Sequence, residues 1–191
     1  MSLSLPILKI RAAWAVLLLS CLALWACSAS PATFPKLTGR VVDEAGLLSP
    51  QAEKGLDQKL KALETETSDQ VVVVTVNSLN EQDIADFSLA LANRWGIGQS
   101  GKVRDAYGHL HKDNGVILLV APQEKRVRIE VGRGLEKIIS NEKADAILQV
   151  DVLPLFQQNQ YENGILSGSN AIIETLRENH AMARDYKETR L

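Results

Sequence analysis

The chain has 191 residues, of which 46% are hydrophobic and 23% charged, with a formal net charge of −2. That balance suits an ordinary packed core and excludes global disorder. With no basic excess and only 5% aromatic residues, a broad electrostatic face for nucleic acid is excluded as well.

The first segment is a short basic region, Lys9 and Arg11, followed by Ala12 to Ala26, apolar apart from Ser20 and Cys21. This run is shorter than the about 20 residues of a membrane span and fits the core of a secretory signal. Leu24-Trp25-Ala26-Cys27 resembles the lipobox of bacterial lipoproteins, although Trp25 stands where small or β-branched residues are usual. The resemblance implies a lipoprotein-type signal peptide over residues 1–26, cut before Cys27, which then carries lipid. Ser28 rather than Asp after that cysteine implies, by the same resemblance, the outer membrane and a periplasm-facing protein. Both cysteines, Cys21 and Cys27, lie in this segment, so the mature domain has no disulfide and no thiol chemistry. Removing residues 1–26 takes away two bases and no acids, moving the charge from −2 to −4. Residues 27–36, rich in Ser, Ala and Pro, read as a tether, with the folded domain expected over 37–178.

In the domain, Val41-Val42-Asp43 leads toward a first helix capped by Ser49 with Pro50 at its first position. Ala52, Leu56, Leu60 and Leu63 fall on one face of it. Gln70 to Val76, with four consecutive valines, predicts a strand. Asn80 is the expected cap of a second helix carrying Ile84, Phe87 and Leu91, and Gly96 its stop. This helix makes a right-handed crossover to a parallel strand at Val116. Gly96 to Asp113 reads as a long loop. Within it His109 and His111 form a His-x-His pair without an evident third ligand, more consistent with solvent-exposed histidines than with a transition metal.

Asp113 to Glu136 predicts a β-hairpin. Val116 to Val120 is an unbroken apolar run, Pro122 to Lys125 a turn, and Val127, Ile129 and Val131 alternate with Arg126, Arg128 and Glu130. Counting outward from the turn sets Ile117 opposite Glu130 and Asp113 near Gly134. The far end then gathers Asp113, Asn114, Glu130 and the Gly132–Gly134 turn, with Glu136 just beyond. Oxygen donors beside flexible backbone are what a hard divalent cation needs, Ca²⁺ first and Mg²⁺ as the alternative. The alternative is that Asp113-Asn114-Gly115 is only a polar turn before a strand.

Ser140 is the expected cap of a helix carrying Ala144, Ile147, Leu148, Val152, Leu155 and Phe156, divided by Pro154. A last helix is expected over residues 162–177, and residues 179–191 as a polar tail that frays. Helices before, between and after a small mixed sheet make the fold class α/β, a three-layer α/β/α sandwich.

Several of these segments resemble the TPM domain family: Val41-Val42-Asp43-Glu44-Ala45-Gly46-Leu47-Leu48-Ser49, Arg94-Trp95-Gly96-Ile97-Gly98, Asp113-Asn114-Gly115-Val116 and Glu130-Val131-Gly132-Arg133-Gly134-Leu135-Glu136, followed by Pro154-x-Phe156 and the Tyr161–Gly164 turn. The resemblance covers Leu37 to Leu176. It implies an α/β/α sandwich, commonly membrane-attached, and a divalent-cation site formed by Asp113, Asn114, Glu130 and Glu136 with Asp43 added. Plant members are linked to photosystem II repair and to weak acid-phosphatase activity. Where the family often carries an acid after its Gly-Leu-Glu motif, this chain has Asn141, followed by Glu142.

The leading expectation is a lipid-anchored envelope protein that binds a divalent cation and assists a membrane protein complex. The alternative is a weak metal-assisted acid phosphatase, with Arg133 near the phosphate. It lacks an evident nucleophile: there is no Ser-His-Asp pattern, no cysteine in the domain and no Gly-x-x-x-x-Gly-Lys loop. A third reading is an adaptor whose acidic cluster only caps loops.

Overall fold

The computed structural model describes residues 34–98, 103–104, 110–111 and 113–188. The expected signal peptide, Cys27, most of the tether and His109 lie outside the described residues. Four strands form a sheet in the order β1 (Val41–Asp43), β2 (Gln70–Thr75), β5 (Gly115–Ala121), β6 (Arg126–Val131). β1, β2 and β5 run parallel and β6 is antiparallel to β5. The hairpin register is the one expected, with Ile117 opposite Glu130.

β1 is a strand that local pattern does not reveal. Val41 and Val42 are buried because they add to the edge of the four-valine strand, pairing with Val73 and Val74. The stretch expected as a long loop holds a two-stranded ribbon, β3 (Val103–Arg104) with β4 (Leu110–His111).

The period of two in β2 and β5 divides their side chains between two cores. Val71, Val73, Val116 and Leu118 face the first layer, formed with α1 (Pro50–Thr67) through Leu56, Leu60 and Leu63. Val72, Val74, Ile117 and Leu119 face the second, formed with α2 (Ile84–Trp95) through Ile84, Phe87 and Leu91. These side chains are buried almost completely, each contributing about 1.5–3 kcal/mol. The β1–α1–β2 and β2–α2–β5 crossovers step the same way across the sheet yet leave their helices on opposite faces. They therefore have opposite hands, and only one obeys the usual right-handed rule.

The helix boundaries follow capping chemistry, with one correction. Ser49 accepts from the Ala52 amide and Pro50 opens α1. Asp83, not Asn80, caps α2: its carboxylate accepts from the Ala85 amide, whereas Asn80 and Glu81 take positive φ in the preceding turn. Gly96, at φ 66°, ends α2 as expected. Phe34, at the end of the expected tether, already packs edge-on against Phe87, and the Trp95 indole donates to the Pro35 carbonyl.

After the hairpin come α3 (Asn141–Ile147), a π-helical turn (Leu148–Val152), α4 (Leu153–Gln157) and α5 (Tyr161–Glu188). Pro154 sits in the first turn of α4, where its missing N–H costs nothing. α5 does not stop near Arg177. It continues to Glu188, and His180 is buried against Asp69 rather than part of a frayed tail.

Candidate functional site

The hairpin end is built by backbone meeting backbone. Gly132 N–H donates to the Gly115 carbonyl, 2.7 Å, and Gly134 N–H to the Asp113 carbonyl, 3.1 Å. A Cβ on Gly132 would lie 2.1 Å from the Asp113 carbonyl oxygen. One on Gly115 would lie 2.7 Å from the Gly98 nitrogen, and one on Gly98, which also needs φ 82°, 2.9 Å from the Gly115 nitrogen. Three of the sequence segments singled out above thus meet at one junction, where only glycine fits.

Beside the junction, between α2 and the ends of β5 and β6, opens a cleft of about 520 Å³. Asp113, Glu130, Arg133 and Glu136 line it, over an apolar wall that includes Leu89 and Ile97. The Glu130 carboxylate is engaged: Arg128 Nε donates to it at 2.8 Å and the buried Ser88 hydroxyl at 2.9 Å. Among the described residues, no side chain pairs with the carboxylate of Asp113 or of Glu136. Glu136 and Arg133 are exposed, and Asp113 is partly so.

Two residues of the expected set are elsewhere. Asn114 is 1% exposed and turns into the interior. Its Nδ2 donates to the Ser68 carbonyl and lies 3.4 Å from Asp69 Oδ1, while its Oδ1 is buried with no hydrogen-bond partner among the described residues. Asp69 in turn meets His180 Nε2 at 2.9 Å. Asp43 lies at the other end of the parallel strands, level with Thr75 and Val120. Five residues at about 3.3 Å each separate that level from Gly115, roughly 16 Å along the sheet. Both Asp43 oxygens are occupied: Oδ1 by the Thr75 hydroxyl and the Leu47 amide, Oδ2 by the Leu48 amide at 2.8 Å. Asp43 caps the loop into α1.

Glu142, next to Asn141, does not line the cleft either. It is held by the Ser140 hydroxyl, which keeps its carboxyl below the usual carboxylate range. Sequence reasoning misses Asp69 and His180, the pair that anchors Asn114. They lie far apart in the chain, and no local spacing links them.

The cleft does not fit calcium in an all-protein cage, which takes six to eight oxygens. Among the described residues, no three or more His, Cys, Asp or Glu side chains are arranged to hold a metal ion. Two unpaired carboxylates in an open cleft fit a cation that keeps much of its water, the manner in which Mg²⁺ is bound through one or two carboxylates.

Fold and cleft together define the class: a three-layer α/β/α domain whose glycine-built hairpin end opens into an acidic cleft. The chain belongs to the TPM domain family, which it matches over residues 41–175. Among solved structures it is similar to the N-terminal domain of a protein from P. gingivalis, at 31% identity and TM-score 0.65, covering 74% of this chain and 84% of that one. The N-terminal domain of the cg2496 protein from Corynebacterium glutamicum shares the fold at 16% identity and TM-score 0.55, covering 76% of this chain and 85% of that one. The BA42 protein of the psychrophilic Bizionia argentinensis shares it at 19% identity and TM-score 0.54, with coverage of 69% and 82%. No curated protein matches the chain. Among the described residues, no helix is long and apolar enough to cross a membrane.

Proposed function

We propose that this protein is a lipid-anchored TPM-domain binding module of the cell envelope, whose acidic cleft holds a hydrated divalent cation and assists a membrane protein complex. The observation that supports the reading best is the placing of the unpaired Asp113 and Glu136 carboxylates in one cleft, beside a junction of glycines that cannot yield. Asp113 and Glu136 are the ligands, water completes the shell, and Glu130 stays with Arg128. Few protein ligands and an exposed cleft imply weak affinity, of the order of the 10⁻⁴–10⁻³ M of extracellular calcium modules. The anchor is Cys27, on the strength of the N-terminal sequence alone.

Isothermal calorimetry of the full chain in neutral detergent with Mg²⁺ and Ca²⁺ tests the site. Saturable heat that disappears in both Asp113→Asn and Glu136→Gln is expected; no saturable heat in the parent protein sinks the proposal. Lipidation is tested by mass spectrometry of the membrane fraction, where an unmodified Cys27 would remove the anchor.

The phosphatase reading keeps one point in its favour, the presence of Arg133 in the same cleft as Asp113 and Glu136. Phosphomonoester hydrolysis that vanishes in Arg133→Ala and on chelation would favour it over the binding module.

A further inference from the structure

The opposite end of the hairpin carries a second cleft, about 270 Å³, between the β5–β6 turn and α4. Its apolar lining is Val127 and Pro122 on the hairpin side and Leu153, Phe156 and Tyr161 on the helical side, with the polar Gln157 and Asn159 beside them. Among the described residues its charged groups are Lys125 and Arg126, both exposed, and no acid lines it. Among the described residues neither base has a carboxylate partner, whereas Arg40, Arg128 and Arg177 are each paired with a glutamate.

The aromatic wall is built into the fold. The Phe156 and Tyr161 rings lie 5.0 Å apart, and a Cβ on Gly164 would meet the Phe156 ring at 2.6 Å. Phe156 therefore seats directly on the backbone of α5. The π-helical turn just before α4 adds one residue to the helical turn, and Val152 closes it against Gly168, where a Cβ would lie 2.4 Å from the valine methyl. Such turns are frequent at functional sites. Pro154-x-Phe156 and the Tyr161–Gly164 turn, which the acidic cleft leaves unused, are the parts that make this wall.

We propose that this second cleft binds a small amphipathic anion: a carboxylate or phosphate head held by Lys125 and Arg126, and a ring-sized apolar body against Phe156, Tyr161 and Leu153. The volume is near the lower end, about 300 Å³, of small-molecule sites, and an apolar lining with a few converging polar groups is their usual make-up. The two bases select the head, and the aromatic wall selects a body over a bare ion.

Saturation-transfer NMR on the full chain in neutral detergent, with empty micelles as blank, tests this with phenyl phosphate, 3-phenylpropanoate and benzyl alcohol. Saturation of the ring protons of at least one anion is expected, and of benzyl alcohol none. Which anion responds identifies the head. The double variant Lys125→Glu, Arg126→Glu, at two exposed positions and with its unfolding midpoint compared with that of the parent protein, is expected to weaken binding at least tenfold. Phe156→Leu is expected to weaken it while inorganic phosphate, followed by ³¹P line width, remains a poor ligand of both proteins. No saturation of either anion, equal saturation of benzyl alcohol, or unchanged binding in the double variant would each overturn the proposal.

Discussion

The two ends of one hairpin solve the same problem, opening a cleft beside a sheet, by different means. At the far end the walls are backbone: Gly98, Gly115 and Gly132 let three chain segments touch, and acidic side chains project past them. At the turn end the wall is side chain: Phe156 and Tyr161 pack over Gly164, with Lys125 and Arg126 at the rim. A backbone wall cannot relax, whereas an aromatic ring can swing aside. The acidic end should therefore be the less tolerant of substitution, although both ends use glycine.

A pair of glycine substitutions tests that difference most severely. Gly132→Ala places a methyl on the Asp113 carbonyl, and should cost about 3 kcal/mol or more in urea unfolding. Gly164→Ala meets mainly the Phe156 ring, and should cost about 1 kcal/mol. Equal losses would break the comparison. Behind the acidic end, Asn114→Ala removes the amide that joins Ser68 and Asp69 to the hairpin, with an expected loss of about 1–3 kcal/mol. His180→Ala should fall within the same range, and a negligible effect would show that α5 does not support the site.

The turn end has its own anchor, sensitive to acid. Burial acts to raise the Glu124 pKa, but hydrogen bonds from the Ser78 hydroxyl and from the amides of Leu79 and Glu124 itself outweigh it and hold the carboxyl below its ordinary value. A group depressed in the folded state stabilises fully above its unfolded pKa, and that contribution is lost as pH falls through the folded one. Glu124→Gln should therefore be the less stable protein near pH 7, and the gap should narrow as pH falls below the ordinary carboxylate pKa and through the lowered one of the folded state. An unchanged gap would detach Glu124 from the acid response.

Much of this layout is legible in the chain. The hairpin register follows from an unbroken apolar strand, a short turn and an alternating strand, which leave one pairing that buries the right faces. The glycines are visible too, but in the sequence they read as flexible backbone beside a cation; their stronger role is close approach, which appears only when Gly98 and Gly132 are brought to Gly115. Asp43 joins the expected set only through the family resemblance; at the C-terminal end of β1 it lies at the other end of the parallel sheet from the N-terminal start of β5, beside Asp113. Its nearness to Leu47 and Leu48 already fits a loop cap. β1 is too short to show a period, and the Asp69–His180 pair has no local trace at all.

In the proposed site Asp113 and Glu136 hold the cation without Asp43. Thermal unfolding of the full chain with and without millimolar Mg²⁺ or Ca²⁺, repeated for Asp113→Asn, Glu136→Gln and Asp43→Asn, tests it most directly, since a ligand that prefers the folded state raises the midpoint. A metal-dependent rise is expected in the parent protein, with its loss in the first two variants and its retention in Asp43→Asn from a lower starting midpoint. A rise that survives Asp113→Asn and Glu136→Gln but disappears in Asp43→Asn would instead make Asp43 the ligand.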